Sequence, residues 1–157
     1  MVGWLVLSLG CGSPPVPAPP LPHEDGHGGH HHEGASDHMS AMSANRDRLR
    51  ATLGAGYDAA VPGLDGANRQ HGGELFATQC ASCHGAAGKG DGTAGGGLSP
   101  PPADFTDAFH ARYYSDAARV EIIRNGIPGT GMAGFDGRLS PQDIVDVYAH
   151  VRTLRGD

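Results

Sequence analysis

The sequence predicts an all-α fold, in which a small domain of three main helices and long loops follows a disordered N-terminal region. No stretch of useful length alternates apolar and polar side chains, the pattern typical of a half-buried β-strand. Residues 140–155 instead carry apolar side chains at helical spacing. Glycine-rich and proline-rich stretches separate this segment from the other predicted helices and favour long loops.

The first 22 residues are interpreted as an export signal and a spacer. Residues 1–11 resemble a bacterial lipoprotein signal, because a short apolar run ends at Cys11, which would become the lipidated first residue. No lysine or arginine precedes the run, so ordinary secretion with cleavage nearby is the alternative. Residues 12–22 form a Pro-rich linker that favours polyproline II. We therefore expect a domain on the periplasmic side of a bacterial membrane, lipid-anchored or else periplasmic or secreted.

Residues 23–38 form a His-rich low-complexity tract with almost no apolar side chains to bury. Dense imidazoles bind copper, nickel or zinc, and the soft thioethers of Met39 and Met42 follow closely. A copper-handling role and a solvated tether are both compatible with this composition. The possible weak metal site comprises His23, His27, His30, His31, His32 and His38.

Residues 39–66 are predicted to form a short amphipathic helix followed by a linker. Apolar side chains recur at near-helical intervals from Met39 to Leu53. Glycines and Pro62 then interrupt the pattern before the domain proper, which we place at 67–157.

Two helices of the domain are predicted from their ends. The first begins at the N-cap Asn68 and runs through Phe76 toward residue 84. The second covers 116–124, because Ser115 can cap it and Gly126 can end it.

The third helix has the clearest sequence signals. Ser140 supplies an N-cap, Pro141 suits the first helical position and Asp143 places an acid in the first turn. Its apolar stripe consists of Ile144, Tyr148, Val151 and Leu154.

The stretch from Cys80 to His84 carries the chemistry of the chain. Two cysteines three residues apart, followed at once by a histidine, have the spacing of covalent c-type haem attachment. On a helical turn, Cys80 and Cys83 share a face with His84, so the thiols can bond one porphyrin while the imidazole ligates its iron. A zinc site lacks a second cysteine pair, and a dithiol redox centre lacks the preceding strand. The motif predicts one covalent haem c round which the loops are wrapped.

Three segments together resemble a class I mono-haem cytochrome c: 72–76 (Gly-Gly-Glu-Leu-Phe), 80–84, and Gly131-Met132 ahead of the last helix. The resemblance covers about residues 67–155. It implies that the first and last helices cross tightly, with Gly72 or Gly73 and Phe76 packed against Tyr148. It also implies that a methionine sulfur is the second axial ligand.

Met132 is the expected second ligand, because no other methionine lies within 67–157. The alternative is a methionine packed on the haem face, with water, His71 or His110 completing the coordination. Histidine and methionine ligation raises the iron potential relative to two imidazoles, and a filled sixth position blocks oxygen or peroxide.

The resemblance further implies that a proline carbonyl accepts a hydrogen bond from the ring of His84. Pro100, Pro101 and Pro102 are the candidates, and the sequence does not distinguish them. Side chains that could bond the haem propionates, or could equally be solvated or part of the core, are Arg112, Tyr113, Tyr114 and Arg124.

The function predicted from these features is one-electron transfer by covalent haem c, without catalysis. The net charge of −6 argues against nucleic acid as a partner and favours redox proteins with a basic docking patch, as donor and acceptor. The alternatives are a metal-handling lipoprotein, with copper at the His-rich tract, and the cytochrome subunit of a larger oxidoreductase.

Overall fold

The computed structural model describes residues 31–155, with side chains from residue 37 onward. In this part of the chain there is no β-strand, only an isolated bridge between Asp136 and Leu139. The predicted all-α fold is therefore confirmed. No helix within 31–155 is long and apolar enough to cross a bilayer. The helices are α1 (His31–Leu53), α2 (Arg69–Gln79), α3 (Ala81–His84), α4 (Ala108–Arg112), α5 (Asp116–Asn125) and α6 (Pro141–Leu154).

The helices α2, α5 and α6 begin where their capping residues predict. The side chains of Asn68 and Ser115 accept hydrogen bonds from the backbone of the first turns of α2 and α5. At α6, Ser140 and Asp143 form a reciprocal capping box. Gly126 ends α5 with φ +73°, a conformation that suits glycine.

The crossing of α2 and α6 brings the backbones of two helices into close contact. A Cβ atom at Gly72 would lie 1.9 Å from the carbonyl oxygen of Asp146, so only glycine allows the two backbones to approach this closely. Beside this crossing, Phe76 and the fully buried Tyr148 belong to the first of two core clusters. The helix crossing expected from the resemblance is present, and Gly72 makes the backbone contact.

The helix predicted over 39–53 is present and extends upstream to His31, into the His-rich tract. A second core cluster joins it to the domain, so residues on both sides of the predicted boundary at 67 pack together. Its buried members are Met42, Leu49, Tyr57, Tyr114, Ala118 and Ile122.

The interpretations of residues 1–11, of Cys11 and of the linker 12–22 fall outside the described residues. The same holds for His23, His27 and His30 and for the side chains of His31 and His32.

Candidate cofactor site

A cavity of about 330 Å³ lies between the two core clusters and has mainly apolar walls. Among its lining residues are all four that the sequence predicts to hold a cofactor, namely Cys80, Cys83, His84 and Met132. A large, mostly apolar cavity with a few convergent donor atoms is the usual form of a cofactor site.

The short helix α3 and its N-cap residue Cys80 present the cysteine and histidine side chains to this cavity. The backbone amide of Cys80 donates to the carbonyl of Phe76 at 2.9 Å, and that of His84 donates to the carbonyl of Cys80 at 2.9 Å. The two cysteines are not joined to each other by a disulfide. Burial, with a smaller effect from Cys83, raises the pKa of the Cys80 thiol to about 11. The pair is thus unlike a thiolate redox centre, whose reactive cysteine has a lowered pKa.

The imidazole of His84 is oriented by two neighbours. Its Nδ1 lies 3.2 Å from the carbonyl oxygen of Ala103, and its ring stacks on Phe105 with centroids 4.7 Å apart. Because a carbonyl only accepts, Nδ1 carries the proton and Nε2 keeps the lone pair that a metal needs. Burial is the main cause that lowers the pKa of His84, which favours the neutral ligating form.

The carbonyl beside His84 differs from the expectation of a proline. It belongs to Ala103, the residue after Pro100, Pro101 and Pro102. The Pro102 carbonyl faces Gly90 instead, since a Cβ atom there would lie 2.5 Å from its oxygen.

Met132 is held in the loop between α5 and α6 by its own backbone. Its amide donates to the hydroxyl oxygen of Thr130 at 3.1 Å, and its carbonyl accepts from the amide of Ile127 at 2.9 Å. The partly buried side chain packs against both core clusters. Met42 of α1 lines the same cavity, although the sequence placed it outside the domain.

Of the two histidines proposed as alternative ligands, His110 lines the cavity and His71 does not. His71 is not among the lining residues and lies 2.8 Å from the carboxylate of Asp143. His110 lines the cavity beside His38, and their Nε2 atoms are 3.1 Å apart. His38 is the one member of the possible weak metal site whose side chain the structure describes.

Arg119 is a buried cation that the sequence analysis did not single out. Its side chain lines the cavity and stacks over the ring of Tyr114, with the guanidinium carbon 5.0 Å from the centroid. One guanidinium nitrogen donates to the carbonyl of His110, and Nε has no hydrogen-bond partner. Burial is the main cause that lowers the pKa of Arg119. Within an amphipathic helix, no sequence signal distinguishes this arginine from a solvated one.

Of the four predicted propionate partners, Tyr114 alone is among the lining residues. Its hydroxyl donates to the Met42 carbonyl at 3.1 Å and accepts from Asn45 at 3.2 Å. Arg124 lies 3.6 Å from Glu121 on the same helix. Arg112 and Tyr113 do not line the cavity.

A family model for cytochrome c matches residues 70–155. The chain belongs to the cytochrome c family. It is 36% identical over 97 residues to the cbb3-type cytochrome c oxidase subunit FixP of Azorhizobium caulinodans, covering 62% of this chain and 30% of that protein. It is 33% identical over 101 residues to FixP of Bradyrhizobium sp., covering 64% of this chain and 29% of that protein. The chain thus aligns with less than a third of these relatives' length.

Among solved structures, a chain of the reducing HAO-like protein complex Kustc0457/Kustc0458 of Kuenenia stuttgartiensis is similar, with a TM-score of 0.48 and 23% identity. The match covers 55% of this chain and 43% of that one.

Members of the cytochrome c family bind haem c covalently, and the cavity of this chain fits that cofactor. Two cysteines stand at the attachment spacing, with the neutral imidazole of His84 next to them. Apolar walls suit a porphyrin. Arg119 is a buried cation, and among the described residues no carboxylate forms an ion pair with it. A buried charge needs a partner of opposite sign, and the carboxylates of haem could supply one.

Proposed function

We propose that this cytochrome c is a one-electron carrier in which His84 and Met132 would ligate the haem iron. Haem-based electron transfer follows from the family. The observation that supports this ligand pair is that both side chains line one cavity with the attachment cysteines.

When bound through Cys80 and Cys83, the haem supplies a ferric–ferrous couple for one-electron exchange with donor and acceptor proteins. His84 contributes an imidazole whose tautomer is fixed by Ala103, which increases its basicity toward iron. Met132 contributes a thioether from a loop tied by Thr130, and occupation of the sixth position would exclude oxygen and peroxide. The proposed role is therefore transfer without catalysis.

The test is the oxidised and reduced visible spectrum of the mature holoprotein and of two leucine variants. We expect low-spin c-type bands and a weak long-wavelength methionine-to-ferric-iron band in the parent protein. Met132→Leu loses that band, whereas Met42→Leu keeps it, although both side chains line the cavity. Loss of the band in Met42→Leu alone, or its absence from the parent protein, would overturn the assignment.

A second candidate is a cytochrome subunit of a larger oxidoreductase. The similarity to proteins named as cbb3-type oxidase subunits favours it. Affinity purification of the full chain from membranes of its native host tests this candidate. Stoichiometric recovery of further redox subunits supports it, and recovery of the cytochrome alone argues for a free carrier.

We further propose that the protein works outside the cytoplasm, with Cys11 as its lipid attachment point. The apolar run that ends at Cys11 supports this location, as does a cofactor that is joined to thiols outside the cytoplasm. Detergent phase partitioning tests it, because a lipidated chain enters the detergent phase and Cys11→Ser returns it to water. An aqueous parent protein would contradict the anchor.

A further inference from the structure

We propose that His38 and His110 form a copper-binding site at the edge of the haem cavity. The inference is independent of the electron-carrier proposal, since neither residue is one of the proposed haem ligands. It rests on the approach of two imidazoles from distant parts of the chain, on the surroundings of their ring nitrogens and on the soft donor nearby.

The separation of the two imidazoles matches that of two ligands on one metal ion. Nε2 of His38 in α1 lies 3.1 Å from Nε2 of His110 in α4, across 72 positions in the sequence. Metal–nitrogen bonds of about 2.0 Å, meeting at about 90° to 120°, place two nitrogens roughly 2.8 to 3.5 Å apart. An ion can therefore bridge the pair with little movement of either helix.

The other ring nitrogens also suit ligation. Nδ1 of His110 lies 2.9 Å from a carboxylate oxygen of Asp107, although the angle leaves it without an aligned hydrogen bond. The negative charge of this carboxylate favours the proton on Nδ1 of His110, which leaves Nε2 with the lone pair that a metal needs. Nδ1 of His38 is buried and has no hydrogen-bond partner. Burial is the main cause that lowers the pKa of His38, which favours the neutral imidazole. The neutral form can bind a metal without first releasing a proton.

The surrounding donors favour copper over harder metals. Met42 lies one turn beyond His38 in α1, and both side chains line the cavity. A thioether beside two imidazoles is a soft donor set, and copper also binds nitrogen sites more tightly than the other first-row divalent ions. The sequence just upstream contains further imidazoles, which are additional copper ligands that would compete with this site. These are His23, His27, His30, His31 and His32.

The test is a Cu(I) titration of the full-length holoprotein, kept reduced so that copper and haem do not exchange electrons. The five upstream histidines are changed to glutamine to remove their competing sites, and a chromophoric chelator reports the copper that remains unbound. We expect one Cu(I) per chain, with affinity at least tenfold weaker in His38→Gln and in His110→Gln. His150→Gln is the matched control, because His150 is a histidine of α6 that does not line the cavity, and we expect this variant to bind copper like the parent.

The visible spectrum of each variant verifies that the haem site has formed, so that weaker copper binding is not a folding defect. Failure of the parent background to bind one Cu(I) would overturn the proposal. Equal affinities in the parent, His38→Gln and His110→Gln would overturn it as well. If those two variants bind copper normally but change the haem midpoint potential in the absence of copper, the pair serves the haem instead.

Discussion

The buried charge of Arg119 predicts an ion pair with a carboxylate of the bound haem. Removing one partner of a buried ion pair costs about 3–5 kcal/mol, because the other charge is left unpaired. We expect Arg119→Gln to lower the free energy of unfolding of the holoprotein by about 3 kcal/mol. It should also lower the midpoint potential, since the ferric state gains more from removal of a nearby positive charge.

Chemical denaturation and redox titration measure both effects. Arg124→Gln is the control, because Arg124 is a more exposed arginine of the same helix with a carboxylate 3.6 Å away. Such a surface pair is worth less than about 1 kcal/mol. Indistinguishable results for the two variants would mean that Arg119 has no anionic partner in the cavity.

The pair formed by His71 and Asp143 predicts a pH dependence at the start of α6. The hydrogen bond between them is the main cause that raises the pKa of His71 and lowers the pKa of Asp143. The pair therefore stabilises the fold at pH values between the lowered pKa of Asp143 and the raised pKa of His71. Its contribution is lost as pH rises through the raised pKa of His71, and also as pH falls through the lowered pKa of Asp143.

NMR titration of the His71 ring measures the first shift directly. We expect a pKa above its ordinary value in the parent protein and a return toward that value in Asp143→Asn. Glu74→Gln serves as control, because the charge of Glu74 contributes least to the raised pKa of His71 and its removal should leave the titration nearly unchanged. An unshifted His71 in the parent would contradict the pairing.

Residues with a local motif could be predicted from the sequence, whereas those defined by distant partners could not. Cys80, Cys83 and His84 follow from spacing alone. Nothing local marks Arg119 as buried, because its position depends on how α5 packs. The approach of His38 to His110 likewise depends on the tertiary contact between α1 and α4.

The crossing of α2 and α6 predicts opposite effects for two adjacent glycines. A Cβ atom at Gly72 would lie 1.9 Å from a backbone oxygen of Asp146, which cannot move without separating the helices. At Gly73, the nearest atom belongs to the side chain of His150, 3.0 Å away, which can rotate. We expect Gly72→Ala to cost at least about 1–3 kcal/mol through overpacking.

Gly73→Ala is the matched control. It gains the same helix propensity, up to about 1 kcal/mol, but its nearest neighbour is a side chain that can move. Thermal and chemical denaturation of both holoproteins compare them. Equal stability of the two variants would show that the helices do not cross at Gly72.

The packing of α1 predicts that residues before 67 stabilise the domain. Leu49 is fully buried in the cluster shared with Tyr114, Ala118 and Ile122. Truncating a buried leucine costs about 2–5 kcal/mol. We expect Leu49→Ala to lower the stability of the haem domain by that amount, as measured by the loss of the haem spectrum in denaturant.

Leu53→Ala is the comparison, since Leu53 is only partly buried against the same cluster and should cost less. An unaffected haem domain in Leu49→Ala would mean that α1 is an independent segment.

Helices with terminal signals were predictable as elements, and their packing was less so. The caps Asn68, Ser115 and Ser140 mark the starts of α2, α5 and α6 because capping is local chemistry. The register of α1 on the domain was not predictable, because the cluster that contains Leu49 also includes Tyr114 and Ile122, which are distant in the sequence.

The charge of the whole molecule affects how it meets its redox partners. A net charge of −6, with carboxylates of the haem in addition, favours partners with a basic surface and acts mainly on the association rate. Electron exchange with such a partner should therefore become slower as ionic strength rises.

The dependence of the whole fold on its cofactor follows from the size of the cavity. The cavity of about 330 Å³ has mainly apolar walls, and without the cofactor this apolar surface has no packing partner. The stability of a typical domain is only about 5–15 kcal/mol, so lost packing on this scale matters to the whole fold. Both core clusters border the cavity, so the loss of haem removes packing from each of them.

We therefore expect the chain without haem to be unfolded or molten. The double variant Cys80→Ser and Cys83→Ser, which cannot attach haem, should lose helical circular dichroism or cooperative unfolding and should bind a hydrophobic dye. The parent holoprotein is the control, with the same chain apart from two sulfur atoms. Native-like helix content with a cooperative transition in the double variant would mean that the protein core, rather than the cofactor, supplies the stability of this cytochrome.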